Sequence, residues 1–332
     1  MKSAAYNGQV IFLTGHRKAG TSLLARLLEG HEDINSYPTD LTLLYAFFPL
    51  LEEHLLDSSA EVLRFTSVIN DSIRLGMQGY SSDNEITETQ SSLLKTLSPL
   101  IANGDFCDQS SVLVTIAQWL KGQHPNVSNI LFKETSQLQN YTSLKAIFPE
   151  SKFVNIVRDP RDNMAAVYEG VSKSYAGFGD DAKNALFSVA NRAMFDLNFA
   201  KKFDAANRSD VITVRFEDIV SETKKSMKLI CDFLDIDFSE QVLSPTQNGI
   251  AYAGNNHSGK KFNGVHSGNK DRWKDRIPHE YAALIEFFCY DEMIYWGYEP
   301  KFELDDTLGL IDKLLQNYNY RYFFKDRYGS KS

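Results

Sequence analysis

The sequence predicts an α/β protein with a central, mostly parallel sheet, helices on both faces and a helical insertion, three layers in all. Four short apolar runs, at 9–14, 129–133, 152–157 and 211–215, alternate with stretches of helical periodicity. The first run passes through a glycine-bounded loop straight into a helix. The composition is ordinary for a globular protein, with 43% hydrophobic and 23% charged residues in 332. A chain of this length buries roughly 75% of its unfolded surface and needs no disulfide or metal to hold it.

The elements follow in order. Residues 9–14 (Gln-Val-Ile-Phe-Leu-Thr) read as a buried strand. Thr21 to Glu29 is helical, with Leu23, Leu24, Leu27 and Leu28 on one face, and Gly30 and His31 end it. Residues 40–125 form the helical insertion, with helices over 41–56, 60–75 and 91–102 and a polar loop over 79–90. Strand 129–133 leads to a helix over 142–148, stopped near Pro149. Strand 152–157 runs into Arg158-Asp159-Pro160-Arg161-Asp162, where Pro160 suits the first turn of the next helix. Strand 211–215 precedes helices over 222–234 and 279–295. Residues 244–272 are rich in glycine, asparagine and serine without apolar periodicity and read as a flexible loop or lid. We expect one domain over 1–332.

The charge sum is −8, which disfavours non-specific nucleic-acid binding while leaving a local basic pocket open. Cys107, Cys231 and Cys289 lie far apart without a CxxC pair, so reduced thiols are expected. The histidines show no metal-ligand spacing, and no metal is expected. The longest apolar run, Leu43 to Leu51, contains Pro49 and falls far short of the ~20 residues of a membrane span. The first strand begins too early to leave room for a signal peptide, so the expected setting is cytoplasmic.

Gly15-His16-Arg17-Lys18-Ala19-Gly20-Thr21-Ser22 joins strand to helix. Glycines let backbone N–H groups approach an anion, and the helix N-terminus adds free donors and a positive dipole. The G-x4-G spacing is that of a P-loop, but Thr21 stands where a nucleotide triphosphatase has lysine, and the cation is Lys18 inside the loop. Arg17 and Lys18 beside a helix N-terminus call for an anion there. Arg158, at a strand's carboxyl end, suits a phosphate through its planar fork. Its plainer reading is a salt-bridged turn with Asp162.

His16-Arg17-Lys18-Ala19-Gly20-Thr21-Ser22-Leu23-Leu24 resembles the 5′-phosphosulfate loop of sulfotransferases, commonly P-[KR]-S-G-T-[ST]. The resemblance is closer to the tyrosylprotein and bacterial types than to the cytosolic aryl type, and it covers 9–38 and 129–298. It implies a P-loop-like fold and 3′-phosphoadenosine 5′-phosphosulfate (PAPS) as donor, with PAP as product. Lys18 then falls on the residue that contacts the leaving phosphate, and Gly20, Thr21 and Ser22 on those that hold it. Arg17 and Ala19 replace the usual proline and serine. Arg158-Asp159-Pro160-Arg161-Asp162 is similar to the family's 3′-phosphate motif, with Arg158 on its phosphate-binding arginine. Ala166 stands where a phosphate-binding serine is usual, with Tyr168, Ser172 or Ser174 as substitutes. Arg215-Phe216-Glu217-Asp218 resembles R-Y-E-D, which puts Phe216 against adenine or simply in the core. Gly268-Asn269-Lys270-Asp271-Arg272 resembles the late loop over the 3′-phosphate, with Lys270 and Arg272 as the cations.

The implied reaction is in-line sulfuryl transfer to an acceptor hydroxyl of a glycan, lipid or small metabolite. It needs charge stabilisation at the leaving phosphate, placed on Lys18, and a general base. By loose alignment Asp40 is the base candidate, its plainer role being a helix cap. Lys133 and Glu134 are the other candidates. The competing readings are a P-loop kinase-like phosphotransferase and a non-catalytic nucleotide-binding relative.

Overall fold

In a computed structural model, the described residues are 8–47, 109–170, 182–247, 250–252 and 264–303, with Tyr6, Gly254, 307–310 and six positions between 91 and 99. The described elements begin with β1 (Gln9–Gly15), α1 (Thr21–Leu28), β2 (Ile34–Asp40), α2 (Thr42–Phe47), α3 (Gln109–Gln123) and β3 (Asn129–Lys133). They continue with α4 (Tyr141–Ile147), β4 (Lys152–Val157), α5 (Pro160–Tyr168), α6 (Ala182–Ala205), β5 (Val211–Arg215), α7 (Phe216–Ser221) and α8 (Thr223–Leu234). A short pair, β6 (Thr246–Gln247) and β7 (Ile250–Ala251), precedes α9 (Trp273–Arg276), α10 (His279–Phe288) and α11 (Tyr290–Tyr295).

Five strands form one sheet in the order β2-β3-β1-β4-β5, and every pairing in it is parallel. Ile11 of β1 lies opposite Leu131 of β3 on one side and Lys152 of β4 on the other. A parallel sheet covered on both faces needs strands that are apolar at successive positions. Strand β1 meets that need by alternation: Val10 and Phe12 enter the core beneath α3, α6 and α10, while Ile11 and Leu13 enter a second core beneath α1 and α8. Phe12 stacks on Phe153 with ring centroids 5.0 Å apart. On the other face Leu24 and Leu27 of α1 and Met227 and Ile230 of α8 are fully buried.

The structure corrects the sequence reading in several places. Strand β2 (Ile-Asn-Ser-Tyr-Pro-Thr-Asp) is too polar to be recognised as a strand and contains Pro38. It lies at the sheet edge, where a missing N–H is tolerated, and its register with β3 shifts between Ser36 and Asp40. The 24-residue α6 was not foreseen; its buried stripe, Leu186, Ala190, Ala193, Leu197 and Ala200, is alanine-rich and faint in sequence. The expected helix over 279–295 is two helices, α10 and α11, that break at Cys289. The expected helix over 222–234 is preceded by α7, which starts at Phe216. Part of 244–272 is ordered as β6 paired antiparallel to β7. In the expected insertion, 42–47 and 109–123 are helical, while the helix over 60–75 and the loop over 79–90 lie outside the described residues.

All five strands point one way, so their carboxyl ends share one edge. That edge collects the loop after Gly15, the Lys133-Glu134-Thr135 segment after β3, Arg158 after β4 and Phe216 after β5. In open α/β sheets this is where ligands bind. Among the described residues, no helix is long and apolar enough to cross a membrane.

Candidate functional site

The loop after β1 is a tight turn closed by the Ala19 N–H, which donates to the His16 carbonyl at 3.0 Å. Lys18 adopts φ 65° and Gly20 φ 107°, the left-handed region that glycine alone enters without cost. Space also demands glycine at position 20, where a Cβ would lie 2.4 Å from Cδ2 of Phe216. The turn therefore rests directly on the first residue of α7.

Arg158 is the keystone beside this turn. Its backbone N–H donates to Nε2 of His16 at 3.0 Å, and its Nη1 donates to the Lys18 carbonyl at 2.9 Å. Nη2 donates to the Asn269 carbonyl, and the guanidinium lies 4.4 Å from the centroid of the Phe216 ring. Nε of Arg158 is buried without a partner among the described residues. His16 is fully buried, and burial, aided by the Arg158 charge, pushes its imidazole down to about 3. Asn163 of α5 donates to the Arg17 carbonyl at 2.8 Å and packs on the His16 ring.

The remaining residues of the Arg-Asp-Pro-Arg-Asp run have structural jobs. The Asp159 carboxylate caps α5 by accepting the Arg161 N–H at 2.9 Å. Arg161 turns away from the cleft and pairs with Asp159 and Glu286, each at 2.7 Å. Asp162 accepts the backbone N–H groups of Asp271 at 2.8 Å and Trp273 at 3.0 Å, which pins the late loop to α5. Burial pushes the Asp162 carboxyl up to about 6.

At the other end of the cleft, Lys133 of β3 pairs with the Asp40 carboxylate of β2 and donates to Ser22 Oγ at 3.1 Å. The Asp40 carboxylate is engaged by Lys133 rather than capping α2. Next along the chain Glu134 is only 6% exposed, and its Oε1 accepts the Thr135 N–H at 2.6 Å and the Thr135 hydroxyl at 3.0 Å. Burial, with the Asp40 charge adding, raises the Glu134 carboxyl above the usual range. From α6, Arg192 donates to Ser136 Oγ at 3.1 Å, which in turn donates to Asp196 at 2.6 Å.

These groups line one cleft of about 450 Å³. Of the residues expected from sequence, Arg17, Lys18, Gly20, Thr21, Ser22, Asp40, Arg158, Ala166, Phe216 and Arg272 all border it. Ala19, Gly268 and Lys270 do not. Ala19 is fully buried beneath the turn. The exposed Lys270 leaves its place to Asn269, whose carbonyl meets Arg158. Arg272 pairs with Glu169 of the α5 C-terminus. Tyr168, an expected stand-in for the serine missing at Ala166, is exposed and outside the cleft lining, and Ser172 and Ser174 lie outside the described residues. Pro245, Tyr252, Gly254, Gly264 and His266 border the cleft from the 244–272 segment, of which 248–249, 253 and 255–263 lie outside the described residues. Asn163, Arg192 and Glu169 were missed; each is an ordinary helical polar residue whose role depends on what the helix faces. Among the described residues, no group of three or more His, Cys, Asp or Glu is placed to hold a metal ion.

An all-parallel sheet in this strand order, with a glycine-held loop at the end of its central strand, defines an α/β protein of P-loop-like architecture. The chain belongs to the sulfotransferase family, whose family model matches residues 10–240. Protein-tyrosine sulfotransferase 1 of Danio rerio is 30% identical over 124 residues, which cover 36% of this chain and 33% of that protein. The chain thus matches about a third of the length of that curated relative. The sulfotransferase domain from the curacin biosynthetic pathway superposes with a TM-score of 0.56 at 19% identity, covering 90% of this chain and 100% of that domain. The sulfotransferase domain of the Synechococcus PCC 7002 olefin synthase superposes with a TM-score of 0.58 at 16% identity, covering 90% of this chain and 98% of that domain. These two likenesses establish the shared fold.

Proposed function

We propose that the chain transfers a sulfuryl group from PAPS to an acceptor hydroxyl, by in-line displacement. The single observation that carries this reading is Arg158, held between the Lys18 and Asn269 carbonyls over the Phe216 ring with a buried Nε left to bind. A buried donor without a partner is costly unless a ligand completes it. An anionic phosphate beside the Phe216 face suits both the guanidinium and an adjoining purine.

PAPS would supply a sulfuryl group on an already good leaving phosphate. The left-handed turn at Lys18 and Gly20 exposes the N-terminus of α1 to the 5′-phosphate, where Thr21 and Ser22 add hydroxyls. Lys18 stabilises the charge that grows on that phosphate. Arg158 and Arg272 hold the 3′-phosphate end, and Arg17 adds positive charge at the turn. Lys133 links the Ser22 side to Asp40, so cation and carboxylate stand together where the acceptor hydroxyl enters. Asp40 and Glu134 are the carboxylates available to the acceptor's proton there. The acceptor is a hydroxyl of a glycan, lipid or small metabolite, bound beside the Asp40 and Thr42 end of the cleft and the part of 244–272 that borders it. A cytoplasmic setting is supported by the buried free thiols of Cys231 and Cys289.

Calorimetric titration with PAP against ADP and ATP tests the reading. Preferential binding of PAP, lost in Arg158→Ala, is the expected result. Equal or tighter binding of ATP overturns it in favour of a P-loop phosphotransferase. PAP binding without any transfer would indicate a non-catalytic relative.

A further inference from the structure

Resting on the sulfuryl-transfer reading, we propose that Glu134, and not the better aligned Asp40, takes the proton from the acceptor hydroxyl. Asp40 is already committed: its carboxylate pairs with Lys133, whose Nζ also bonds Ser22 at the anion loop. A proton on Asp40 would forfeit that pair at the moment the site needs it. Glu134 has no ion pair among the described residues.

The two oxygens of Glu134 are unequal. Oε1 is held twice by Thr135, through its N–H and its hydroxyl. Oε2 has no hydrogen-bond partner among the described residues, and it is absent from their sealed, unsatisfied polar atoms. Glu134 lines the cleft, so Oε2 is the oxygen left to face it. Thr135 thus fixes the carboxylate plane while one lone-pair edge stays open. A base whose neutral form is favoured by its surroundings sits closer to the operating pH and transfers protons more effectively. Burial and the Asp40 charge act on Glu134 in that direction, against the weaker opposing charge of Lys133. Arg17, Lys18, Arg158, Arg192, Arg272 and Glu169 are the other charges bordering the cleft.

The step balances without a further reactant. The acceptor oxygen bonds sulfur as the bond from sulfur to the 5′-phosphate oxygen breaks. The departing electron pair stays on that phosphate, and the hydroxyl proton moves to Glu134 Oε2, leaving a neutral carboxyl. Asp40 acts as a positioning residue that holds Lys133.

Three measurements on the full chain test the assignment. The first is PAP affinity by calorimetry, expected within about threefold of wild type in both Glu134→Gln and Asp40→Asn. The second is transfer from radiolabelled PAPS to water and to benzyl alcohol, which stays protonated throughout, as a function of pH. Glu134→Gln is expected to lose ~100-fold or more in kcat, together with the acidic limb of the profile. Asp40→Asn is expected to keep an acidic limb, moved to lower pH because the charge that raises Glu134 is gone. The third needs no acceptor: carbon-13 NMR of labelled glutamate carboxyls, with the Glu134 signal assigned by its loss in Glu134→Gln. Glu134 should titrate above the exposed glutamates and shift down in Asp40→Asn. Loss of the acidic limb in Asp40→Asn with its survival in Glu134→Gln overturns the proposal, as does a Glu134 signal that titrates with the exposed glutamates. Failure of the wild type to bind PAP would instead overturn the donor reading itself, and this assignment with it.

Discussion

Nε2 of His16 accepts the backbone N–H of Arg158 at 3.0 Å, joining the loop after the central strand to the end of its neighbour. The bond requires a bare Nε2, and so a neutral ring, which burial enforces. One imidazole therefore fixes the distance between the two halves of the proposed anion site.

This bond makes a pH prediction. The imidazole is pushed from 6.5 down to about 3 in the fold, so between those values the unfolded chain binds the extra proton. Stability from this ring is present above about pH 6.5 and is lost as pH falls towards 3. Asp162 and Asp196, both pushed up to about 6, act in the opposite sense. The clean measurement is therefore a difference. Denaturant midpoints of wild type and His16→Gln should converge below about pH 6.5, by up to ~1.4 kcal/mol per pH unit. A pH-independent gap would show that the ring is not held neutral.

Gly20→Ala should disable the proposed donor site. Its φ of 107° disfavours any side chain, and the new methyl would meet the Phe216 ring at 2.4 Å. We expect a loss of ~1–3 kcal/mol in stability and weaker PAP binding. Adding Phe216→Ala removes the collision but not the backbone strain, so the double variant should recover part of the stability in thermal melts. Full recovery would place the whole cost in the collision.

Arg158→Lys keeps the charge and loses the fork. A lysine cannot reach the Lys18 and Asn269 carbonyls together while lying over Phe216. PAP affinity should fall by about 1.5–3 kcal/mol, roughly 10- to 100-fold by calorimetry. An unchanged affinity would mean that charge alone matters at this position.

Asp162→Ala frees two backbone N–H groups, that of Asp271 and the buried one of Trp273. It should cost ~1–3 kcal/mol in chemical denaturation and weaken PAP binding by releasing the loop that carries Asn269 and Arg272. Hydrogen exchange should rise first over 267–273. Protection unchanged there would show that the loop is held by something else.

The fold was legible where local chemistry and pattern coincide. Val10 to Leu13, and Phe153 to Val157 apart from Asn155, are apolar because both sheet faces are covered, and that signature is sequence-local. Strand β2 was not legible, since an edge strand buries little and Pro38 argues against pairing. The α6 helix escaped because its contact stripe is largely alanine, and with it went Arg192. In the late loop Arg272 borders the cleft and Lys270 does not. The contact to Arg158 is made by the Asn269 carbonyl, which any residue type could supply.

What the sequence determined by itself was the glycine-bounded loop, the strand-end arginine and their order along a parallel sheet. A turn at Gly15 to Gly20 and a fork at Arg158 are demanded by local geometry and charge. The tertiary structure decided which groups share one cleft and which charges are spent. Asp40 meets Lys133 across 93 residues and Arg158 meets Asn269 across 111. Such pairings depend on strand register and helix packing, long-range quantities that no window of residues contains. The division of labour between Asp40 and Glu134 follows from them, because a carboxylate's basicity is set by its burial and neighbours rather than by its place in the chain.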